Sequence, residues 1–275
     1  MATASPRYAV NLSMLFTELP LLQRPAAAKA AGFDAVEFWW PFAVAGPADA
    51  EVDAFVRAID EAGVQLIGLN FFAGDMPGGD RGLVSWPARV AEFRDNIDVV
   101  VGIGDRLGCK AFNALYGNRT DDSTPVAQDA VAAENLSLAA RAVAGIGGIV
   151  LVEPVSGAPR YPLLTGADVI RVIDRVGEPN VKFLCDLYHL DVNGSDVAAD
   201  VADYFDRIGH VQIADSPGRG EPGTGKLDIA GYLATLGAKG YDGYVALEYK
   251  PTMETVASLA WLPPADRSSA ATAVG

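Results

Sequence analysis

The sequence of 275 residues has little cysteine, a minority of basic side chains and no long apolar run. Its two cysteines, Cys109 and Cys185, both lie in apolar segments, so we expect reduced buried thiols rather than a disulfide framework. Lys and Arg number 21 against 35 Asp and Glu, a formal charge of −14. This balance argues against nucleic acid as a partner, because binding phosphates needs clustered cations.

The sequence also lacks the signals of export and membrane insertion. No segment approaches the roughly 20 apolar residues that a membrane helix requires. The stretch MATASPRYAV has neither the basic nor the apolar region of a secretory signal. We therefore expect a cytoplasmic protein without a membrane partner, and the composition leaves assembly into a homo-oligomer open. An anionic substrate would need a local cation to offset the overall negative charge.

Short apolar segments alternate with amphipathic ones along the whole chain. The predicted strands begin at Tyr8, Asp34, Val64, Cys109, Gly147, Val181, His210 and Gly243. The predicted helices are Leu19–Ala31, Ala50–Ala62, Trp86–Leu107, Val126–Ala144, Gly166–Val176, Val197–Phe205, Asp228–Leu236 and Met253–Trp261. Eight strand–helix units at this length favour a closed (β/α)8 TIM barrel of the α/β class over an open doubly wound sheet. We expect one domain over 1–275, with flexible ends at 1–6 and 264–275.

Oxygen-bearing side chains stand at the ends of the last four predicted strands, at Glu153, Asp186, Gln212 and Glu248. In parallel barrels the active site lies at the carboxyl ends of the strands. Each residue alone could cap a helix or lie in a solvated loop. Together, the carboxylates would repel one another unless one is protonated or a cation neutralises them. Three carboxylates and an amide oxygen suit Mg²⁺ or Mn²⁺ better than zinc, so the pattern predicts a metal site.

Four further residues are candidates for binding substrate. His189 is expected in the loop after the sixth strand, close enough to the metal site to bind a substrate oxygen. Asn70 ends the third strand and could supply an amide. Arg219 and Lys250 are cations near the rim, where a protein of this charge would need at least one to handle an anion.

Other polar groups receive structural interpretations. His210 opens the predicted seventh strand, so we expect it at the end of the barrel opposite to the site. Glu37 on the second strand is expected to pack or hydrogen-bond near the rim. The G-x-G-x-x-G match at 218–223 is crowded by Arg219, Glu221 and Pro222, and the carboxylate would face the phosphates, so we interpret it as a chance match in a long loop.

Several segments together resemble the hydroxypyruvate isomerase family, within the xylose-isomerase-like barrels that also include ketose 3-epimerases and apurinic endonuclease IV. The segments are NLSMLFTELP, AAGFDAVEFWWP, LVEPVS, CDLYH, HVQIADSPGRGEPGTGKLD and GYVALEYKP. The resemblance implies that Glu153 and Glu248 form the acid/base pair and that Asp186 and Gln212 complete the metal site. Lys226 departs from the family pattern, which commonly has an acidic residue after GTG, and could alter the loop or the preferred substrate.

The resemblance implies an isomerase that shifts a carbonyl group along a small hydroxy-keto acid through an enediolate, as from hydroxypyruvate to tartronate semialdehyde. Arg219 would bind the substrate carboxylate better than Lys250, because a guanidinium can bind it through two hydrogen bonds. The alternatives are a 2-oxo-tetronate isomerase, a ketose 3-epimerase acting on free sugars, and a non-catalytic sugar-acid binding protein on a degenerate barrel. The acidic charge and the absence of a His-rich zinc cluster disfavour an endonuclease.

Overall fold

The computed structural model describes residues 6–268, in which parallel strands close into one barrel. The strands are β1 Arg7–Asn11, β2 Ala35–Phe38, β3 Gln65–Asn70, β4 Ala111–Asn113, β5 Ile149–Val152, β6 Val181–Asp186, β7 Ile208–Ile213 and β8 Tyr244–Leu247. Each strand pairs with its neighbours in sequence, and β8 closes the barrel on β1, with Val10 opposite Leu247. The predicted (β/α)8 fold is confirmed.

Helices surround the barrel on the outside. They are α1 Arg24–Ala30, α2 Asp49–Ala62, α3 Val90–Leu107, α4 Pro125–Ala144, α5 Gly166–Val176, α6 Leu187–Val192, α7 Val197–Asp203, α8 Ile229–Lys239 and α9 Thr255–Ser258. The short helix α6 was not predicted, because its six residues directly follow a strand and are too few to show a helical period. Within residues 6–268, no helix combines the length and the apolar character needed to cross a membrane.

Aromatic and aliphatic side chains fill the layer between the strands and the helices. Phe38 of β2 meets Phe55 of α2 edge to face, with ring centroids 5.1 Å apart. Helix α2 buries Phe55, Val56 and Ile59, which recur at the spacing of one helix face. Both cysteines are free and buried in apolar surroundings, as predicted.

The barrel interior changes from apolar to polar along the strand direction. Its lower layer packs Ala9, Ala35 and Ala246 against Ile67. Successive inward-facing residues of a strand are two positions apart. The residues that follow the three alanines on the inner face are therefore Asn11, Glu37 and Glu248, and these are hydrogen-bonded to one another through Asn11. The polar layer that results lies at the carboxyl ends of the strands.

Residues 264–268, the first part of the predicted flexible carboxyl-terminal end, contact the rest of the barrel. Pro264–Asp266 form a turn of 3-10 helix, and the Arg267 side chain is only 8% exposed. The Arg267 guanidinium donates to the backbone carbonyls of Ala31, Leu259 and Leu262, so it holds this segment to α1 and to the turn after α9. Of the other parts of the predicted flexible ends, residue 6 is described and directly precedes β1, and residues 1–5 and 269–275 lie outside the described residues.

The long loop after β3 depends on a glycine. Gly82 has a φ of 104°, and a β-carbon placed there would lie 1.9 Å from the backbone carbonyl oxygen of Leu115. The Gly82 amide also donates to the carbonyl of Ala73 at 2.9 Å, which closes the loop on itself. Only glycine fits this position without moving the backbone.

We expect Gly82→Ala to lower the free energy of unfolding by about 2–5 kcal/mol, since the positive φ alone costs about 1–2 kcal/mol and the overlap with Leu115 adds to it. Gly63→Ala is the matched control, because Gly63 also has a positive φ, of 64°, but has open space around its β-carbon position. The control should lose only about 1–2 kcal/mol. Urea denaturation of both variants measures the difference, and equal losses would contradict the steric argument.

Candidate active site

The four predicted rim residues come together inside the barrel mouth. Glu153 follows β5, Asp186 ends β6, Gln212 lies near the end of β7 and Glu248 follows β8. Their exposed fractions are 6%, 1%, 2% and 4%. Ligand atoms of Glu153, Asp186 and His189 lie within 4.8 Å of one another, close enough to hold one metal ion. The rule that parallel strands deliver their terminal residues to one rim therefore places the predicted groups correctly.

His189 lies in helix α6 rather than in the expected loop. Asp186 caps this helix, since its Oδ1 accepts a hydrogen bond from the His189 backbone amide at 3.0 Å. The imidazole Nδ1 accepts from the backbone amide of Ser156 at 3.0 Å. Burial, followed by the charge of Arg219, lowers the pKa of His189 to about 3, so the ring is neutral. A neutral ring with an accepting Nδ1 carries its proton on Nε2, which suits a hydrogen bond to a substrate oxygen better than a metal bond.

The carboxylates hold their protons unusually tightly. Burial, together with the charges of Glu248 and Asp186, raises the pKa of Glu153 well above its usual range. Burial also raises the pKa of Asp186. It raises that of Glu248 to about 7, although the nearby Arg219 opposes the shift. Carboxyl groups that titrate near neutrality can both accept and return protons at physiological pH.

A buried glutamate–histidine contact lies directly beneath these carboxylates. The His210 Nε2 lies 2.7 Å from the Glu37 Oε2. Burial alone would raise the pKa of Glu37, but His210 and the hydrogen bonds from Asn11 and Gln212 outweigh it and lower the pKa. The predicted position of His210 at the far end of the barrel is wrong: β7 begins at Ile208, so His210 lies within the strand, two residues before Gln212. Glu37 is hydrogen-bonded, as expected.

Two amide side chains leave oxygen atoms available at the site. Gln212 Nε2 donates to Glu37 at 2.7 Å and to Glu248 at 3.1 Å. Asn113 Nδ2 donates to Glu153 at 2.6 Å. The carbonyl oxygens of both amides are buried and have no hydrogen-bond partner among residues 6–268. Since buried polar atoms are nearly always paired, unpaired oxygens beside repelling carboxylates fit a hard cation such as Mg²⁺ or Mn²⁺.

Arg219 is already occupied by the carboxylates. It lies in the loop after β7 with a φ of 60°, and its guanidinium is ion-paired with Glu248 and lies 4.0 Å from Asp186. It also lies over the Tyr188 ring, 5.3 Å from the centroid. Lys250 is exposed and does not line the central cavity, although its backbone amide donates to the Arg219 carbonyl. The structure thus brings Arg219, but not the Lys250 side chain, to the site.

A central cavity of about 320 Å³ opens above the carboxylates. Its lining includes Glu153, His189, Arg219, Glu248, Asn70, Trp39, Arg81 and Ser156. A second cavity of about 660 Å³ adjoins it and shares Trp39, Asn70, Met76, Pro77 and Leu115 with it. This side cavity is lined mainly by apolar and aromatic groups. The two cavities together offer more room than a three-carbon acid needs.

Several residues of the site were missed in the sequence. Asn11 and Asn113 are the last residues of β1 and β4, so the strand-end rule that found Asp186 would have found them too. Trp39 donates its indole N–H to Glu248 at 2.7 Å, and Arg81 lines the central cavity. Trp39 lies one residue beyond β2, and Arg81 comes from the loop after β3, where no apolar period marks their direction.

Comparison with known proteins agrees with this geometry. A family model described as "Xylose isomerase-like TIM barrel" matches residues 25–265. A putative hydroxypyruvate isomerase from Streptomyces coelicolor is 53% identical, over 98% of this chain and 100% of that protein. A 2-oxo-tetronate isomerase from Cupriavidus necator is 36% identical, over 94% of this chain and 98% of that protein. A crystal structure described as an AP endonuclease of family 2 from Brucella melitensis superimposes with a TM-score of 0.85 at 34% identity, covering 93% of this chain and 97% of the other.

The raised pKa values predict how stability depends on pH once divalent ions are removed by chelation. A group whose pKa is raised by folding stabilises the fold fully below its unfolded pKa and loses this contribution as the pH rises through the folded value. For Glu248 that value is about 7, so the melting temperature should fall between pH 5.5 and pH 8. The lowered pKa of Glu37 acts only at lower pH, outside this window.

The same melting experiment has a matched pair of variants. Glu153→Gln removes one of the repelling charges, so its melting temperature should depend less on pH. Glu221→Gln is the control, because Glu221 is also buried but hydrogen-bonds Thr252 away from the carboxylates. The control should keep the original slope. A melting temperature that rises from pH 5.5 to pH 8 would contradict the assigned shifts.

Proposed function

We propose that this chain, which belongs to the hydroxypyruvate isomerase family of xylose isomerase-like TIM barrels, shifts the carbonyl group of a small hydroxy-keto acid through an enediolate. The chain is an isomerase, and the names of its relatives indicate a small keto acid as substrate. The observation that carries the proposal is the pair of buried carboxyl groups, Glu153 and Glu248, with raised pKa values on the wall of one cavity. Hydroxypyruvate is the first candidate substrate.

In the proposed reaction one carboxylate removes a proton from the hydroxymethyl carbon. The electron pair of that C–H bond forms the carbon–carbon double bond of the enediolate, and the π electrons of the carbonyl group move onto its oxygen. The other carboxyl group then returns a proton to the former carbonyl carbon. The proton of the hydroxyl group passes to the former carbonyl oxygen, so the hydroxyl oxygen becomes the aldehyde carbonyl. No external oxidant is needed, because one carbon is oxidised as the other is reduced.

The hydrogen bonds of the two glutamates suggest which one starts as the base. Glu248 accepts from Trp39, Asn11 and Gln212 and is ion-paired with Arg219, all of which stabilise its ionised form. Glu153 accepts from the Asn113 side chain alone among the described residues. We therefore assign Glu248 as the base and Glu153 as the acid in the forward direction.

The oxygen atoms of the substrate would be held by the groups around the cavity. Glu153, Asp186, Gln212 and Glu248 would hold a divalent cation, Mg²⁺ or Mn²⁺, whose charge stabilises enediolate oxygens. The Nε2–H of His189 would donate to a substrate oxygen, and Asn70 would add an amide at the cavity wall. Val155 and Leu115 line the same cavity and would keep water from the intermediate.

A four-carbon substrate is the second candidate. The adjoining side cavity gives room for atoms beyond a three-carbon acid, and the Cupriavidus necator relative is named for a 2-oxo-tetronate. A neutral ketose, as in 3-epimerisation, would use the same carboxylates but would need no cation for a carboxylate group. The relatives that are named as isomerases do not support the non-catalytic alternative. The cytoplasmic location and the homo-oligomer stay predictions.

Replacing either glutamate by its amide should abolish most of the activity. Glu153→Gln and Glu248→Gln keep the side-chain shape but cannot accept a proton at neutral pH, so we expect kcat to fall about 10²–10⁴-fold for each. Hydroxypyruvate isomerisation measures the loss, and circular dichroism checks the fold. Glu221→Gln, a buried glutamate outside the cavity lining, should retain kcat within about threefold. A near-normal rate in either amide variant would remove that residue from the mechanism.

Removal of divalent ions should lower both activity and melting temperature at pH 8, because the carboxylates would then repel without a counter-charge. Adding Mg²⁺ or Mn²⁺ back should restore both. Calorimetric titration with Mn²⁺ measures binding without turnover. Gln212→Leu should weaken binding, since it removes the unpaired buried oxygen. Activity that survives chelation in a protein with no micromolar affinity for either ion would contradict the proposed metal site.

A further inference from the structure

Arg81 is an arginine of the central cavity that has no role in the proposed chemistry. It lines the cavity with Glu153 and His189, and it comes from the loop after β3. Its position in this lining makes its charge part of the electrostatic environment of the site, although Arg81 forms no hydrogen bond or ion pair with the carboxylates.

The hydrogen bonds of Arg81 use one edge of its guanidinium. Its Nη1 donates to the backbone carbonyl of Met76 at 2.9 Å and to that of Asp80 at 2.6 Å. None of the ion pairs found within residues 6–268 includes Arg81, since the nearby Asp80 is paired with Arg89 at 2.8 Å. The other edge of the guanidinium keeps its donors available. Arg219, by contrast, is ion-paired with Glu248 and lies near Asp186.

The acidic lining of the cavity shows what an anionic substrate would meet. Glu153 and Glu248 lie on its wall, and Arg219 is ion-paired with Glu248 and lies near Asp186. A substrate carboxylate would add another acidic group to this low-dielectric cavity, which is costly unless a further cation faces it. Among the residues that line this cavity, Arg81 is the remaining cation.

We propose that Arg81 binds the carboxylate group of the substrate and makes the site selective for keto acids over neutral ketoses. This inference rests on the proposed function and assigns to Arg81 the role that the sequence suggested for Arg219. Arg219 stays beside the reacting carbons, where its charge faces the proton-transferring groups. The bound acid points its carboxylate toward the loop after β3 and its hydroxymethyl carbon toward the carboxylates of β5 and β8.

The loop holds Arg81 ready for this contact. Asp80 accepts from the amide of Asp75 at 2.8 Å and is paired with Arg89, which fixes the residue next to Arg81. Gly82 on the other side is fixed by the hydrogen bond from its amide to the carbonyl of Ala73 at 2.9 Å. A guanidinium that is positioned before binding loses little side-chain freedom when a carboxylate arrives. The arrangement therefore favours tight binding of a carboxylate and not only its attraction from a distance.

Two substrates that differ only in the carboxylate test the proposal. Hydroxypyruvate carries the acid group, and dihydroxyacetone has a hydroxymethyl group in its place. Arg81→Met should lower kcat/KM for hydroxypyruvate about 10- to 100-fold, mainly by raising KM. It should change kcat/KM for dihydroxyacetone by less than about threefold. Arg81→Lys should retain part of the affinity for hydroxypyruvate. The lysine keeps the positive charge but loses the planar guanidinium that can donate two parallel hydrogen bonds. Lys250→Met is the matched control, because Lys250 is a cation near the rim that does not line the cavity.

Calorimetric titration of both compounds provides a readout that does not depend on turnover. Hydroxypyruvate binding that weakens in Arg81→Met but not in Lys250→Met supports the proposal, even if the unsubstituted chain fails to isomerise the acid and the proposed function fails. Isomerisation that continues with unchanged KM in Arg81→Met leaves the proposed function standing and overturns the role of Arg81. Equal losses for both compounds would show that Arg81 only shapes the loop and would also overturn it. If Arg81→Met does not fold, the comparison of both compounds in Arg81→Lys decides in the same way.

Discussion

The repulsion among three buried carboxylates is the constraint on which the rest of this barrel depends. Glu153, Asp186 and Glu248 come from neighbouring parts of one closed sheet, so they cannot move apart without opening the barrel. The structure answers this repulsion with Arg219 and with side-chain amides that donate to the glutamates. It also leaves the pKa values of the carboxyl groups raised. Repulsion among buried carboxylates would destabilise an ordinary core. Here it produces groups that can exchange protons near neutral pH.

The contact between Glu37 and His210 organises the layer beneath the carboxylates. Because one oxygen of Glu37 accepts from both Asn11 and Gln212, those amides must turn their nitrogen atoms toward Glu37. The Gln212 carbonyl oxygen is thereby left without a partner among residues 6–268. The orientation of a candidate ligand atom is thus decided by a residue on the opposite side of the barrel, through one hydrogen bond. Positioning of this kind is common around catalytic groups and metal ligands.

The sequence predicted the strands, the barrel and the four rim residues because those features follow from local periods and from one rule about parallel strands. It failed where position depends on distant partners. The sequence places His210 at the wrong end of the barrel, because the first residues of β7 are not apolar enough to mark the start of a strand. It does not reveal helix α6, because that helix is only six residues long. Arg81 could not be assigned at all, since its direction depends on how a loop rich in glycine folds against Leu115.

Asp186 both caps helix α6 and belongs to the carboxylate cluster of the site, so it links the start of this helix to the site. Its Oδ1 accepts from the first turn of α6, so only Oδ2 is free to face the cavity. The carboxylate cannot rotate toward a ligand without fraying the helix that carries His189. A ligand that draws this carboxylate into the cavity would therefore weaken the hydrogen bond at the start of α6. The amide hydrogens of this short helix become a reporter of the site, and their rate of exchange with deuterium would record what is bound there.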